Sequence, residues 1–149
     1  MARIVTMQDL SCVGQCSLTV ALPILSACGV ETCVLPSAVL SNHTAFSDFT
    51  FRDLTDDLSD ILERWETLGF RFDALYTGYL GNARQIALVK ALKERVLTEQ
   101  APVYIAPAMA DNGKLYVGFD DAFVQAMKTL LPVADVLLPN ITEACLLTE

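Results

Sequence analysis

A chain of 149 residues has the length of one domain. With 53% hydrophobic and 19% charged residues it can fill a core, which excludes a disordered chain. A net charge of −8 argues against nucleic acid or an anionic membrane as a main partner, because both recruit basic stripes.

Taken in chain order, the pattern alternates between strand-like and helix-like runs. Met1-Ala2-Arg3 leads straight into a β-prone run, Arg3 to Met7, with no signal-peptide pattern. Leu18 to Cys28 predicts an apolar helix closed by Gly29, and Pro23 inside it predicts a kink or a late start. Thr32 to Leu35 reads as a strand, and Ala38 to Leu40 as another short one. Leu54, Leu58, Ile61, Leu62, Trp65 and Leu68 recur at helical spacing, with Asp53 or Thr55 as cap and Gly69 as stop. Ala74 to Thr77 is a strand, Ala83 to Val96 a helix, Val103 to Ala106 a strand, Asp121 to Leu131 a helix and Val136 to Leu138 a strand. Leu138 to Glu143 then reads as a strand end, a polar turn and a new helix. The chain ends soon after, which leaves Ala144, Leu146 and Leu147 with little to pack on.

No run reaches the roughly 18 apolar residues of a membrane span. The cysteines, Cys12, Cys16, Cys28, Cys33 and Cys145, lack CxxC spacing, and His43 is the single histidine, which argues against structural zinc. The cysteines read as small buried hydrophobes in a reducing cytoplasm.

Strands alternating with long helices predict an α/β fold of three layers, a mostly parallel sheet with helices on both faces. Ligands gather beyond the carboxyl ends of such strands. Five polar clusters fall there: Gln8 to Ser11, Ser41 to Thr44, Thr77 to Tyr79, Asp111 to Gly113, and Asn140 to Glu143.

Each cluster has a chemical and a structural reading. Asp9 and Ser11 can address a ligand or cap a helix entered after the first strand. His43 can stack on or hydrogen-bond a heteroaromatic ring and Thr44 can bind a ring substituent, or both belong to an ordinary turn. Gly78 permits close approach and Tyr79 offers an aromatic face, or the pair is a glycine turn with a rim tyrosine. Asp111 and Glu143 can hold Mg²⁺, whereas Asn140-x-x-Glu143 is also the spacing of a capping box. The two roles are compatible, because a helix N-terminus also attracts phosphate.

Together these segments resemble the pyridoxal/pyridoxamine kinases of the ribokinase-like superfamily, in order and over essentially the whole chain. Ser41-Asn42-His43-Thr44 is similar to the family's SNHT loop and Thr77 to Gly81 to its TGYLG segment. Ala106 to Asp111 stands where the family has DPVMGD or DPVMAD, and Leu138 to Glu143 where it has TPNxxE.

The resemblance implies ATP-dependent phosphorylation of the 5′-hydroxymethyl group of pyridoxal, pyridoxamine or pyridoxine, with Mg²⁺, in a cytoplasmic homodimer. Asp9 or Ser11 would touch the pyridine ring, and His43, Thr44 and Tyr79 would line its pocket. Asp111, Asn140 and Glu143 would form the Mg²⁺–phosphate side, with Asp111 and Glu143 as the metal ligands. Ala106 replaces the family's first Asp in that segment, Leu138 replaces a hydroxyl residue, and Cys12 stands where Gly is frequent.

The family's Gly-rich anion hole, with the Asp expected as catalytic base, falls beyond Glu149. Residues 1–149 then read as the N-terminal part of one ribokinase-like domain, truncated before its nucleotide-binding part and inactive alone. Two other readings remain: a hydroxymethylpyrimidine kinase, and a non-catalytic module that binds the vitamer.

Overall fold

In the computed structural model, which describes residues 1–149, six strands form one sheet in the order β3-β2-β1-β4-β5-β8. They are β1 (Arg3–Ser11), β2 (Glu31–Leu40), β3 (Phe51–Asp53), β4 (Ala74–Thr77), β5 (Val103–Ile105) and β8 (Val136–Leu137). All neighbours run parallel except β3, which lies antiparallel on β2 at the edge. A separate hairpin, β6 (Ala110–Asp111) and β7 (Lys114–Leu115), follows β5.

The helices are α1 (Leu18–Ala27), α2 (Thr55–Thr67), α3 (Ala83–Val96), α4 (Asp121–Lys128) and α5 (Ile141–Thr148). Alternation along the strands sends Val5, Met7, Leu75, Val103 and Ile105 to one face. There they join Leu58 and Leu62 of α2, Ile86, Val89 and Leu92 of α3, and Val124 and Met127 of α4 in one core. The opposite face carries α1 and is only partly covered. Ile4, Ala74, Tyr76, Tyr104 and Leu138 line a shallow apolar groove with Leu25 of α1, about 380 Å³ in volume.

Several local expectations change. The two short strands expected between Thr32 and Leu40 are one strand, β2, interrupted by a bulge where Gln8 pairs with Pro36 but Leu10 with Val39. Pro36 fits there because a bulge interrupts the ladder that its missing N–H would break. β1 runs on to Ser11, so neither Asp9 nor Ser11 caps a helix, and α1 begins only at Leu18 without a side-chain cap. Pro23 does not delay α1; it sits inside it. Leu68 at the end of α2 is exposed rather than part of the apolar stripe. Asp53 accepts from the Thr55 N–H at 2.7 Å, but Leu54 holds the N-cap position without a side-chain cap bond, so neither Asp53 nor Thr55 caps α2. α4 stops at Lys128, earlier than the apolar run suggests.

Two corrections concern packing. Leu147 of α5 is buried in the core and Leu146 packs against it, so the last helix does find a surface. The cysteines are not buried hydrophobes: Cys12, Cys28 and Cys145 are exposed, Cys16 and Cys33 half-buried, and all five are free thiols. No helix is long and apolar enough to cross a membrane.

Candidate functional site

β1 and β2 end in register, Ser11 opposite Leu40, while the neighbouring β4 ends at the level of Met7, and three of the polar clusters follow these strands along one edge. Asp9 and Ser11 are buried near the end of β1, and the Ser11 hydroxyl donates to Asp9 Oδ2 at 3.3 Å. Pairing of the two chain segments continues past the strands: the Cys12 N–H donates to the Leu40 carbonyl and the His43 N–H to the Val13 carbonyl, at 2.9 and 2.8 Å.

The loop after β2 is organised by its own side chains. Ser41 Oγ accepts from the Thr50 N–H at 2.8 Å and donates to Asn42 Oδ1 at 2.7 Å. Asn42 Nδ2 donates to the Asp48 carbonyl at 2.9 Å. His43 Nδ1 accepts from the Ala45 N–H at 3.0 Å. An acceptor at Nδ1 places the ring proton of the neutral imidazole on Nε2, which is then a donor. Thr44 is exposed beside it. Ser41 and Asn42 therefore build the loop, whereas His43 Nε2 and the Thr44 hydroxyl remain for other partners.

Tyr79 follows β4 and is half-buried. Burial raises its phenol pKa, and the Asp9 and Asp53 charges raise it further, so Tyr79 stands in the field of the Asp9 carboxylate. One partner of its ring was not foreseen. Phe119 stacks on Tyr79 with centroids 5.7 Å apart and planes inclined 22°, and Phe123 backs Phe119. Forty residues of sequence separate the pair, and no periodicity marks Phe119. Gly78 is also tightly placed: a Cβ there would meet the Gln8 side chain at 2.8 Å.

The acidic cluster lies further along the same edge, after β5 and β8. Asn140 and Glu143 form a full capping box on α5. Asn140 Oδ1 accepts from the Glu143 N–H and Glu143 Oε2 from the Asn140 N–H, both at 2.9 Å. Glu143 Oε1 also accepts from the Met109 N–H at 3.2 Å. Asn140 Nδ2 donates to the Ala110 carbonyl at 2.8 Å, and the Gly113 N–H to Thr142 Oγ1 at 2.9 Å. These bonds dock the β6–β7 hairpin onto the start of α5.

Asp111 is exposed in that hairpin, with Oδ1 accepting from the Asn112 N–H. Tyr116 senses both acids: burial raises its pKa first, then the charges of Glu143 and Asp111. No group of three or more His, Cys, Asp or Glu side chains that could hold a metal forms here, so an ion at Asp111 and Glu143 would draw most of its shell from water and phosphate. Asp111 retains an oxygen outside the hairpin's hydrogen bonds, and Glu143 supplies a fixed negative charge whose two oxygens are already bonded to N–H groups.

No protein-family model matches the chain. Among curated proteins it is 32% identical to the pyridoxal kinase of Ovis aries, over 91% of this chain and 45% of the sheep protein. It is 30% identical to the pyridoxal kinase of Haemophilus influenzae, over 81% of this chain and 44% of that protein.

Among solved structures, pyridoxal kinase from Lactobacillus plantarum is 35% identical with a TM-score of 0.92, over 99% of this chain and 53% of that one. A Bacteroides thetaiotaomicron protein named "putative phosphomethylpyrimidine kinase" and crystallised with pyridoxal is 44% identical with a TM-score of 0.93, over 99% of this chain and 51% of that one. The chain thus spans about half the length of the proteins it matches.

Proposed function

We propose, from the premise that the chain belongs to the pyridoxal kinase family, that it carries the vitamer-binding side of an ATP-dependent kinase. The group phosphorylated is the 5′-hydroxymethyl of pyridoxal, pyridoxamine or pyridoxine. The observation that carries this reading is the edge after β1 and β2, where Asp9 is buried within the charge range of Tyr79 and the His43 N–H bonds to the Val13 carbonyl. The pyridoxal complex of a protein 44% identical to this chain supports it.

Each residue has a task that its geometry suits. Asp9 or Ser11 addresses the polar edge of the pyridine ring. His43 donates from Nε2, and the Thr44 hydroxyl binds a ring substituent. Tyr79 covers the ring face. Asp111, Asn140 and Glu143 face the phosphates, with Asp111 and Glu143 as the residues that would hold Mg²⁺. That ion, when bound, neutralises phosphate charge. In the transfer, the vitamer hydroxyl oxygen bonds to the γ-phosphorus, the bond to ADP breaks, and the hydroxyl proton passes to a base. We assign that base to none of these 149 residues. The cytoplasm, where free thiols persist, and a homodimer complete the proposal.

Titration calorimetry of the chain with pyridoxal tests the reading. Binding that weakens in His43→Ala and Tyr79→Ala is the expected result, and no heat with any B6 vitamer overturns it. The purified chain is expected to form no pyridoxal phosphate from ATP, which marks it as a binding module when alone. The naming of the Bacteroides protein as a phosphomethylpyrimidine kinase supports a second reading, a related hydroxymethylpyrimidine kinase. Competition between pyridoxal and hydroxymethylpyrimidine for the same site separates the two.

A further inference from the structure

Three buried side chains close a ring of hydrogen bonds around the segment that carries Tyr79. Gln85, in the first turn of α3, is fully buried, as is Ser37 of β2, and Thr55 nearly so. Gln85 Nε2 donates to the Ser37 carbonyl at 2.9 Å and to Thr55 Oγ1 at 3.0 Å. Its Oε1 accepts from the Gly81 N–H at 2.7 Å. Ser37 Oγ donates to the Tyr79 carbonyl at 2.8 Å. Tyr79-Leu80-Gly81 is therefore held at both ends, and the two holding residues are bonded to each other.

Asn82 extends the ring, donating to Thr55 Oγ1 at 2.8 Å and to Asp53 Oδ2 at 3.1 Å while capping α3. Ser37 lies in the β2 bulge, on the stretch opposite Asp9. The irregularity that leaves Ser37 off the regular ladder is on the same level of the sheet as the proposed ring-binding carboxylate.

Satisfied buried networks fix one geometry, because every alternative leaves a polar group unpaired. This one spans β2, α2, α3 and the Tyr79 segment, whose contacts are separated by 30 to 48 residues in sequence. A strand-to-helix turn needs no such long-range bonds merely to exist. Phe119 adds a second constraint, on the ring rather than on the backbone.

We propose that Gln85 and Ser37 are positioning residues for Tyr79, setting where its ring stands over the ligand pocket while Phe119 sets its tilt. The proposal rests on the vitamer reading of Tyr79. It predicts that the network acts on binding through Tyr79 alone.

A double-mutant cycle in pyridoxal affinity tests this, using Gln85→Met, Tyr79→Ala and their combination. Gln85→Met is expected to raise Kd by about tenfold alone and by less than about twofold when Tyr79 is already Ala. An equal rise in both backgrounds, or none in either, overturns the proposal.

Ser37→Ala, a smaller change, guards against loss of folding and is expected to follow the same pattern. A ligand-free readout keeps this proposal separate from the vitamer reading. In NMR spectra, the Tyr79 ring protons are expected to shift in Gln85→Met and Ser37→Ala, while the methyl signals of Leu58 and Leu62 stay in place. If the unaltered chain binds no pyridoxal, the vitamer reading fails and the ring shifts alone decide; unmoved ring shifts overturn the positioning role.

Discussion

Gly14 and His43 are packed so closely that a methyl group on Gly14 would lie 2.8 Å from the His43 Cβ. Gly14 also has a φ of 91°, a backbone region that side chains disfavour. The segment leaving β1 thus reaches the proposed ring-binding histidine only because residue 14 has no side chain.

Gly14→Ala should therefore move His43 as well as strain the turn. We expect a stability loss of about 1–2 kcal/mol from the left-handed backbone. Pyridoxal affinity should fall in the same variant, and calorimetry set beside urea unfolding measures both. Gly29→Ala is the control. It has a φ of 79° but nothing within 4 Å of the added Cβ, so it should lose stability and keep affinity.

Tyr79 gives stability a dependence on alkaline pH. Its native pKa lies above the ordinary tyrosine value because of burial, Asp9 and Asp53. Below about pH 10 the phenol is protonated in both states and its contribution is complete. Above that, the unfolded chain releases the proton first, so it binds fewer protons than the native state and stability falls as pH rises. Tyr79→Phe should flatten this part of the curve. Urea midpoints between pH 8 and pH 11 compare the two, with Tyr116→Phe expected to flatten it in the same direction.

Glu143→Gln keeps the size of the side chain and removes one of its two acceptor oxygens. Either the Asn140 or the Met109 N–H then loses its partner, and the β6–β7 hairpin loosens from α5. We expect a loss of about 1–2 kcal/mol, the usual worth of a cap or of a buried unpaired donor. Thermal unfolding measures it. Unchanged thermal stability would overturn the capping-box role.

Leu147→Ala should cost about 2–3 kcal/mol, the low end for a core leucine, because the site lies on a terminal helix that can relax. Chemical unfolding tests this, with Ile141→Ala as the control at an exposed position of the same helix. Equal losses from both would mean that α5 is held by its cap rather than by its packing.

The sequence carries the sheet and the helices through their apolar runs. Val5, Leu75 and Val103 announce their strands, and the spacing of Leu58, Leu62 and Trp65 announces α2. The β6–β7 hairpin went unread, although Asn112-Gly113 is a two-residue turn signal and both residues adopt the positive φ it requires.

Other features had no local signal. β3 is three exposed residues, Phe51 to Asp53, paired by geometry alone. Asp9 and Ser11 read as loop because they are polar, yet they lie within a buried strand whose end faces the site. The roles of Ser37, Gln85 and Phe119 depend on partners 40 or more residues away, which no window along the chain can contain. The exposed cysteines resisted reading because residue type predicts burial only on average.

The central position of β1 has a consequence for synthesis. In chain order β1 precedes both of the strands that flank it, β2 and β4. Its first edge is closed by β2, where Arg3 pairs with Glu31, but its second waits for β4, where Ile4 pairs with Ala74. Until then Val5 and Met7, fully buried in the finished fold, belong to an open-edged unit of β1, β2 and β3 with α1 beside it. Unpaired edges of apolar strands recruit other chains. A translational pause between Leu40 and Ala74 therefore leaves the nascent chain adhesive, whereas a pause after Thr77, with room for the strand to clear the tunnel, leaves that edge sealed.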